Sequence, residues 1–245
     1  MNKDLIGKSV PEVTFKVFDG NEWEDVTTDD LFFGKKVIVF SLPGAFTPTC
    51  SSAHVPGYNE LADTFKKQGI DDIICMSVND TFVMNAWQKD QKADKLTFIP
   101  DGNGEFTEKM GMLVDKFFIG FGKRSWRYSM LVNNKIIEKM FVEPDKPGDP
   151  FEVSDADTML WAINPDAKKP ENITMFTRTG CSLCTKAKEL LDSKGIPYET
   201  IEVNDKITSK SIKAVSGKTA TPQIFVGGKH IGSLEQLEMY VKENY

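Results

Sequence analysis

Twice in this 245-residue chain an apolar run leads straight into a cysteine that opens a helix, and that repeated junction narrows the architectures open to it. In the first, Val37-Ile38-Val39-Phe40 reads as a buried strand, followed by Pro43-Gly44-Ala45-Phe46-Thr47-Pro48-Thr49-Cys50. Thr47 before Pro48 is a helix-start pattern. The hydroxyl is placed to cap free N–H groups, and the proline's missing N–H costs nothing at the first helical position. Cys50 then falls in the first turn, where unpaired N–H groups and the positive end of the helix dipole favour an anion. That setting suits a cysteine that works as a thiolate nucleophile. In the second junction, the strand Ile173-Thr174-Met175-Phe176-Thr177 passes through Arg178-Thr179-Gly180 to Cys181-Ser182-Leu183-Cys184, and a charged amphipathic helix runs on to about Lys194. A CxxC between strand and helix is a redox spacing, with the first sulfur exposed and the second one turn inside.

Between the two junctions strands and helices alternate. Pro56-Gly57 is expected to kink or restart the Cys50 helix, which runs to about Gln68 before Gly69 stops it. Strands are expected at Asp72–Val78 and Leu96–Ile99, with a helix over Thr81–Gln91. Tyr128–Val132 and Lys135–Val142 read as a hairpin joined through Asn133-Asn134. Ser154, with Asp157 three residues on, is expected to cap a last helix reaching about Ile163. The stretch Asn164 to Pro170 is polar and bounded by prolines. The expected organisation is an α/β chain: a first domain over residues 1–165, a linker at 166–170 and a second domain over 171–245.

Composition narrows the chemistry. A net charge of −6 without a basic run argues against nucleic acid as a partner. No apolar stretch approaches a membrane span, and the N-terminus lacks the apolar core of a signal peptide. Four cysteines are too few for a disulfide scaffold, so catalytic thiols in a reducing, cytoplasmic setting are expected. Zinc at Cys181 and Cys184 would need two further ligands at suitable spacing, and the sequence nearby offers none, so no metal is expected.

The Pro43–Cys50 segment, with His54-Val55-Pro56-Gly57-Tyr58 behind it, resembles the active-site loop of the peroxiredoxins, in particular the peroxiredoxin five subgroup. The resemblance implies that the Cys50 thiolate attacks a hydroperoxide, that the Thr47 hydroxyl orients the peroxide oxygen and that Pro43 shields the resulting sulfenic acid. It also calls for an arginine from a distant strand. Arg124 and Arg127 are the candidates; Arg127 fits the subgroup pattern better, and Arg124 reads as a plain surface charge. His54 lies four residues after Cys50, close enough on a helix to help the thiol ionise, although a structural role is the simpler reading. Cys75, inside an apolar strand, reads as buried rather than resolving.

From about Glu171 to Tyr245 the chain resembles the glutaredoxins, on the CxxC junction and on Thr221-Pro222-Gln223-Ile224-Phe225-Val226-Gly227-Gly228. This implies Cys181 as the reactive thiol, Cys184 as the partner for an internal disulfide, and Pro222 as the cis-proline beside the site. Thr221 would offer backbone groups to the cysteinyl part of glutathione, and Arg178 a charge to its glycine carboxylate. Gly232, Ser233, Glu235 and Gln236 open the last helix, where the γ-glutamyl carboxylate would sit; Ser233 and Gln236 depart from the family's usual residues. The site also departs from Cys-Pro-Tyr-Cys, and small residues there leave a bridging iron–sulfur cluster open.

Together the resemblances imply two thioredoxin-like folds of different size. They imply a glutathione-dependent peroxidase of hydrogen peroxide and small alkyl hydroperoxides that needs no cofactor beyond glutathione as reductant. They also imply a homodimer or tetramer through the first domain. Either glutathione or Cys181 would attack the oxidised Cys50. The alternatives are a protein-deglutathionylating oxidoreductase and a peroxide-sensing relay or holdase.

Overall fold

The computed structural model describes residues 5–167, 169 and 171–245. The chain divides into two compact units, Met1–Ala167 and Lys168–Tyr245, each built on its own sheet. The first opens with a hairpin, β1 (Thr14–Phe18) and β2 (Trp23–Thr27), and a short α1 (Thr28–Phe32). There follow β3 (Lys36–Leu42), α2 (Val55–Lys67), β4 (Asp72–Ser77), α3 (Thr81–Asp90), β5 (Thr97–Pro100) and α4 (Glu105–Lys109). A short ribbon, β6 (Leu113–Asp115) and β7 (Lys123–Ser125), precedes the hairpin β8 (Tyr128–Asn133) and β9 (Ile136–Val142), and α5 (Ala156–Ile163) closes the unit. The main sheet has the order β5-β4-β3-β8-β9; β3, β4 and β5 pair in parallel, and β8 and β9 are antiparallel to their neighbours.

The central strand shows why both faces of this sheet are covered. Ile38, Phe40 and Leu42 enter one core with Tyr58, Phe65 and Cys50, whereas Val37 and Val39 enter the other with Phe32, Phe106 and Met130. Side chains alternate across a strand, so an unbroken apolar run stays in place only when each face has a partner layer. A side chain such as Phe40, fully buried here, contributes about 1.5–3 kcal/mol through removal from water. This puts the end of β3, and the loop after it, on the best-anchored part of the unit.

Several local features differ from the expectation. The opening turn of the Cys50 helix, Cys50–His54, is a π-helix, with the Val55 N–H donating to the Cys50 carbonyl. The regular helix α2 starts only at Val55, with Pro56 in its first turn, the restart that Pro56-Gly57 was expected to bring. Pro56 has no N–H for the Ser52 carbonyl and its ring would crowd that oxygen, and the widened turn before it absorbs both. The tight turn of the β8–β9 hairpin falls on Asn134 and Lys135, both at positive φ, one residue beyond the expected pair. Asp155, not Ser154, caps α5, accepting from the Thr158 N–H at 3.0 Å, because the helix begins at Ala156, one residue later than the expected cap would place it. Gly69 stops α2 as expected: it takes φ 81°, and the N–H groups of Gly69 and Ile70 return to the carbonyls of Lys66 and Phe65.

The second unit carries β10 (Ile173–Thr177), α6 (Ser182–Ser193), β11 (Tyr198–Glu202), α7 (Ser209–Ser216), β12 (Gln223–Val226), β13 (Lys229–Gly232) and α8 (Leu234–Asn244). Its sheet runs β11-β10-β12-β13, with only β10 and β11 parallel. Ile173, Met175, Ile224 and Val226 pack from the sheet against Ala187, Leu191, Leu237 and Val241 of α6 and α8. Within the Asn164–Pro170 stretch, Lys168 and Pro170 lie outside the described residues. Asn164 donates to Gln68 at 3.0 Å and Ala167 packs on the core of the first unit.

Candidate active site

Pro43, Gly44 and the thiol of Cys50 are buried at the end of β3, beneath an exposed Phe46 held at φ 60°. The Ala45 N–H donates to Asn79 Oδ1 at 3.0 Å, which ties this loop to the end of β4. Thr47 sits at the helix start, as expected, but its hydroxyl does not cap the helix. It donates to the Gly44 carbonyl at 2.8 Å, and this leaves its lone pairs available to accept from a ligand. The Ser51 hydroxyl, next to Cys50, accepts from the indole N–H of the buried Trp87 at 3.0 Å.

Arg127 comes from the turn just before β8 and is 1% exposed. Burial alone would disfavour its charge. The hydrogen bond to the Asp149 carboxylate and the proximity of the Cys50 sulfur outweigh that and hold the guanidinium charged. The ring of Phe151 lies 5.5 Å beneath it. Arg127 Nη1 also meets His54 Nδ1 at 3.1 Å, and His54 Nε2 meets the Ser154 carbonyl at 3.1 Å. Burial, and then the Arg127 charge, hold His54 neutral, well below its usual 6.5. A carbonyl can only accept and a guanidinium only donate, so the imidazole carries its proton on Nε2 and accepts at Nδ1. His54 therefore steadies Arg127 and has no spare lone pair for the thiol.

Arg124, read from the sequence as a surface charge, is half-buried. Its Nη1 donates to the Val78 carbonyl and its guanidinium lies 5.9 Å from the Phe121 ring. Arg127 is the arginine beside Cys50. Cys75 is fully buried on β4, opposite Phe40 of β3, and burial, with Cys50 close by, pushes its thiol up. Cys75→Ser is expected to leave peroxide turnover intact and to lower stability by about 1–3 kcal/mol, because a buried hydroxyl needs a partner the sulfur did not. Thermal melts and disulfide mapping after peroxide check this; a Cys50–Cys75 bridge would contradict it.

In the second unit Cys181 caps α6 and is joined to Cys184 by a disulfide, with the Cys184 N–H donating to Cys181 Sγ at 3.1 Å. Cys184 is buried and Cys181 partly exposed, the asymmetry expected of a CxxC at a helix start. The Thr221–Pro222 bond is cis, and the Thr221 carbonyl lies 3.5 Å from Cys181 Sγ. Arg178 is exposed and donates to the Ser209 hydroxyl at 2.9 Å. Gly232, at φ 133°, precedes the start of α8, but Gln236 turns back on the chain: its Oε1 accepts from the Ser233 N–H at 2.9 Å and from its hydroxyl at 3.1 Å. The φ of 133° is what favours glycine at 232; a Cβ there would also come within 2.6 Å of the Gln236 side-chain oxygen, which would have to turn aside. Gln236 and Ser233 thus shape the helix start through a capping pair, and Glu235 is exposed in its first turn.

Residues around Arg127 that the sequence did not point to come from the loop after β9. Asp149, Phe151 and the Ser154 carbonyl all reach this site, from a run rich in charge and proline in which the sequence singled out only Ser154, and that as a helix cap.

Both units carry thiol chemistry on a thioredoxin-like scaffold, which places the chain in the class of cysteine-dependent peroxidases joined to a disulfide oxidoreductase. Family models divide it the same way: the Redoxin model matches residues 5–160 and the Glutaredoxin model residues 173–231. The chain belongs to the peroxiredoxins, as a hybrid form in which a glutaredoxin domain follows the peroxidase domain. It is 62% identical to the hybrid peroxiredoxin hyPrx5 of Haemophilus influenzae, over 96% of this chain and 97% of that one. The first unit alone is similar to a peroxiredoxin of Synechocystis, 60% identical over 62% of this chain and 87% of the relative. Among solved structures it is similar to reduced Prx3 of Vibrio vulnificus in complex with hydrogen peroxide, with TM-score 0.61 and 42% identity over 64% of this chain and 98% of that one. The 1-Cys peroxiredoxin of Plasmodium falciparum gives TM-score 0.63 at 37% identity over 66% of this chain and 99% of that one. Peroxide reduction through a cysteine follows from this membership.

Proposed function

We propose that the chain is a glutathione-dependent peroxidase of hydrogen peroxide and small alkyl hydroperoxides. The observation that carries this reading is a buried Cys50 beside a charged, buried Arg127 in the same chain as a partly exposed Cys181 next to a cis-proline. The Cys50 thiolate attacks the distal peroxide oxygen, the O–O bond breaks, and the leaving oxygen takes a proton to depart as water or alcohol. Arg127 steadies the thiolate and the charge that moves onto the leaving oxygen, while the Thr47 hydroxyl accepts from the peroxide. Glutathione then condenses with the Cys50 sulfenic acid, releasing water and leaving a mixed disulfide. The Cys181 thiolate attacks the glutathione sulfur of that disulfide and frees Cys50. A second glutathione removes the glutathionyl group from Cys181 as oxidised glutathione. By the other route Cys184 displaces it, and two glutathiones reduce the resulting Cys181–Cys184 bridge.

Glutathione is held in this reading by the Thr221 backbone, by Arg178 at the glycine carboxylate and by the start of α8 at the γ-glutamyl end. The setting is a cytoplasmic glutathione pool, and the assembly a homodimer or tetramer through the peroxidase units. The test is peroxide-dependent NADPH oxidation by the whole chain, coupled through either glutathione and its reductase or thioredoxin and its reductase. Turnover is expected with glutathione and to be at least about tenfold slower with thioredoxin. Equal or faster turnover with thioredoxin alone would reassign the reductant, and activity only on glutathionylated proteins would make the second unit a general deglutathionylating enzyme.

A further inference from the structure

Glu143 is fully buried just after β9, and it has no part in the chemistry described so far. Its carboxylate accepts four hydrogen bonds: from the N–H groups of Glu152 (2.9 Å), Val153 (3.0 Å) and Ser154 (2.8 Å), and from the Ser154 hydroxyl (2.7 Å). A buried carboxylate is tolerated only when donors replace its water, and these do. Its backbone is fixed as well. The Glu143 N–H donates to the Arg127 carbonyl at 3.1 Å, and the Glu143 carbonyl accepts from the Trp126 indole at 2.9 Å.

One residue thus clasps both ends of the loop 144–151 to the segment that bears Arg127. Pro144, Pro147 and Pro150 stiffen that loop by fixing φ at three positions. What the clasped loop delivers is specific: Asp149 to Arg127 Nη2, Phe151 to the faces of Arg127 and His54, and the Ser154 carbonyl to His54 Nε2. His54 in turn meets Arg127 Nη1.

We propose that Glu143 is a positioning residue: by fastening the 152–154 backbone it sets Asp149 and the Ser154 carbonyl, and through them the Arg127 guanidinium beside Cys50. The inference rests on Cys50 as the peroxide nucleophile, but not on glutathione as the reductant. Substituting Glu143→Gln keeps the volume but turns an amide donor toward the Glu152 N–H, which loosens the loop. Asp149→Asn removes the charge partner of Arg127 from the exposed side.

The experiment is single-turnover oxidation of Cys50 by hydrogen peroxide in the full chain, followed by rapid quenching, alkylation and mass measurement, with no glutathione present. Glu143→Gln and Asp149→Asn are each expected to slow this step by roughly ten- to a hundredfold, since small misplacements of a group at the reacting atoms have effects of that order. Reduction of a small mixed disulfide by the second unit should stay unchanged. The double variant should be no slower than the slower single one, because both act through one guanidinium. Asp149→Glu should recover part of the rate. Ser154→Ala, which removes one of the four bonds to Glu143, covers the case in which Glu143→Gln does not fold, and a smaller slowing is expected of it. A folded Glu143→Gln chain with the wild-type rate, losses that multiply in the double variant, or a Ser154→Ala chain at full rate if Glu143→Gln cannot be made, would overturn the proposal. Failure of wild-type Cys50 to react at all would overturn the reading of the site beneath it.

Discussion

Cys50→Ser is expected to lower peroxide reduction by roughly a thousandfold or more while leaving the second unit's activity on a small mixed disulfide unchanged. The size of the effect follows from the surroundings of the thiol. A serine hydroxyl is not ionised near neutral pH, so it would need a base to become a nucleophile. The one imidazole within reach is already committed, with His54 Nδ1 accepting from Arg127 and Nε2 donating to the Ser154 carbonyl. Arg127, held charged, has no lone pair with which to accept a proton. Neither His54 nor Arg127 can therefore activate an alcohol. The measurement is steady-state peroxide consumption beside a mixed-disulfide assay on the same preparation, and retention of a tenth of the peroxide turnover would show that another sulfur does the work.

Cys181→Ser is expected to stop glutathione-supported turnover and to permit one stoichiometric reduction of peroxide by Cys50. The two sulfurs of the second site are unequal, since Cys181 is partly exposed next to Thr221 and Cys184 is buried in the first turn of α6. An incoming mixed disulfide can be attacked only by the accessible sulfur, so Cys184→Ser should cost much less, on the order of a fewfold, with the monothiol route still open. Burst amplitude and steady-state rate, measured together, separate these outcomes. A Cys184→Ser chain more impaired than Cys181→Ser would make the internal disulfide obligatory.

What the sequence disclosed well was whatever depends on neighbours in the chain. The two strand–cysteine junctions, the CxxC and the proline entering β12 are local patterns with local causes, and each stands where it was expected. The burial of Cys75 was readable for the same reason, because an apolar run with period-two alternation on a central strand has nowhere else to go. The contents of the loop after β9 were not readable. Glu143, Asp149 and Ser154 look like ordinary solvated polar residues, and their roles arise from contacts with His54 and Arg127 that lie 22 to 100 positions away or from a backbone turn that offers several N–H groups to one carboxylate. Ser154 shows the failure clearly. Its hydroxyl looked like the cap of α5, but α5 begins at Ala156, which leaves Asp155 in the capping position, and the Ser154 hydroxyl donates to the buried Glu143 carboxylate. The π-helix was hidden too, since it is a response to Pro56 within a packed environment and has no composition of its own.

The second site can close on itself as a Cys181–Cys184 bridge, whereas Cys50 carries no disulfide partner. In the proposed cycle a chain with that bridge closed can accept one peroxide and then one glutathione at Cys50, yet has no Cys181 thiolate to resolve the mixed disulfide. The second unit must first be recharged by two electrons, so a chain that starts with this bridge closed is expected, with scarce glutathione, to show a lag whose length tracks the glutathione supply and not the peroxide. Under those conditions an enzyme with the proposed cycle would act as a gauge of how reduced its surroundings are, spending its first turnover before it has established that a second can follow.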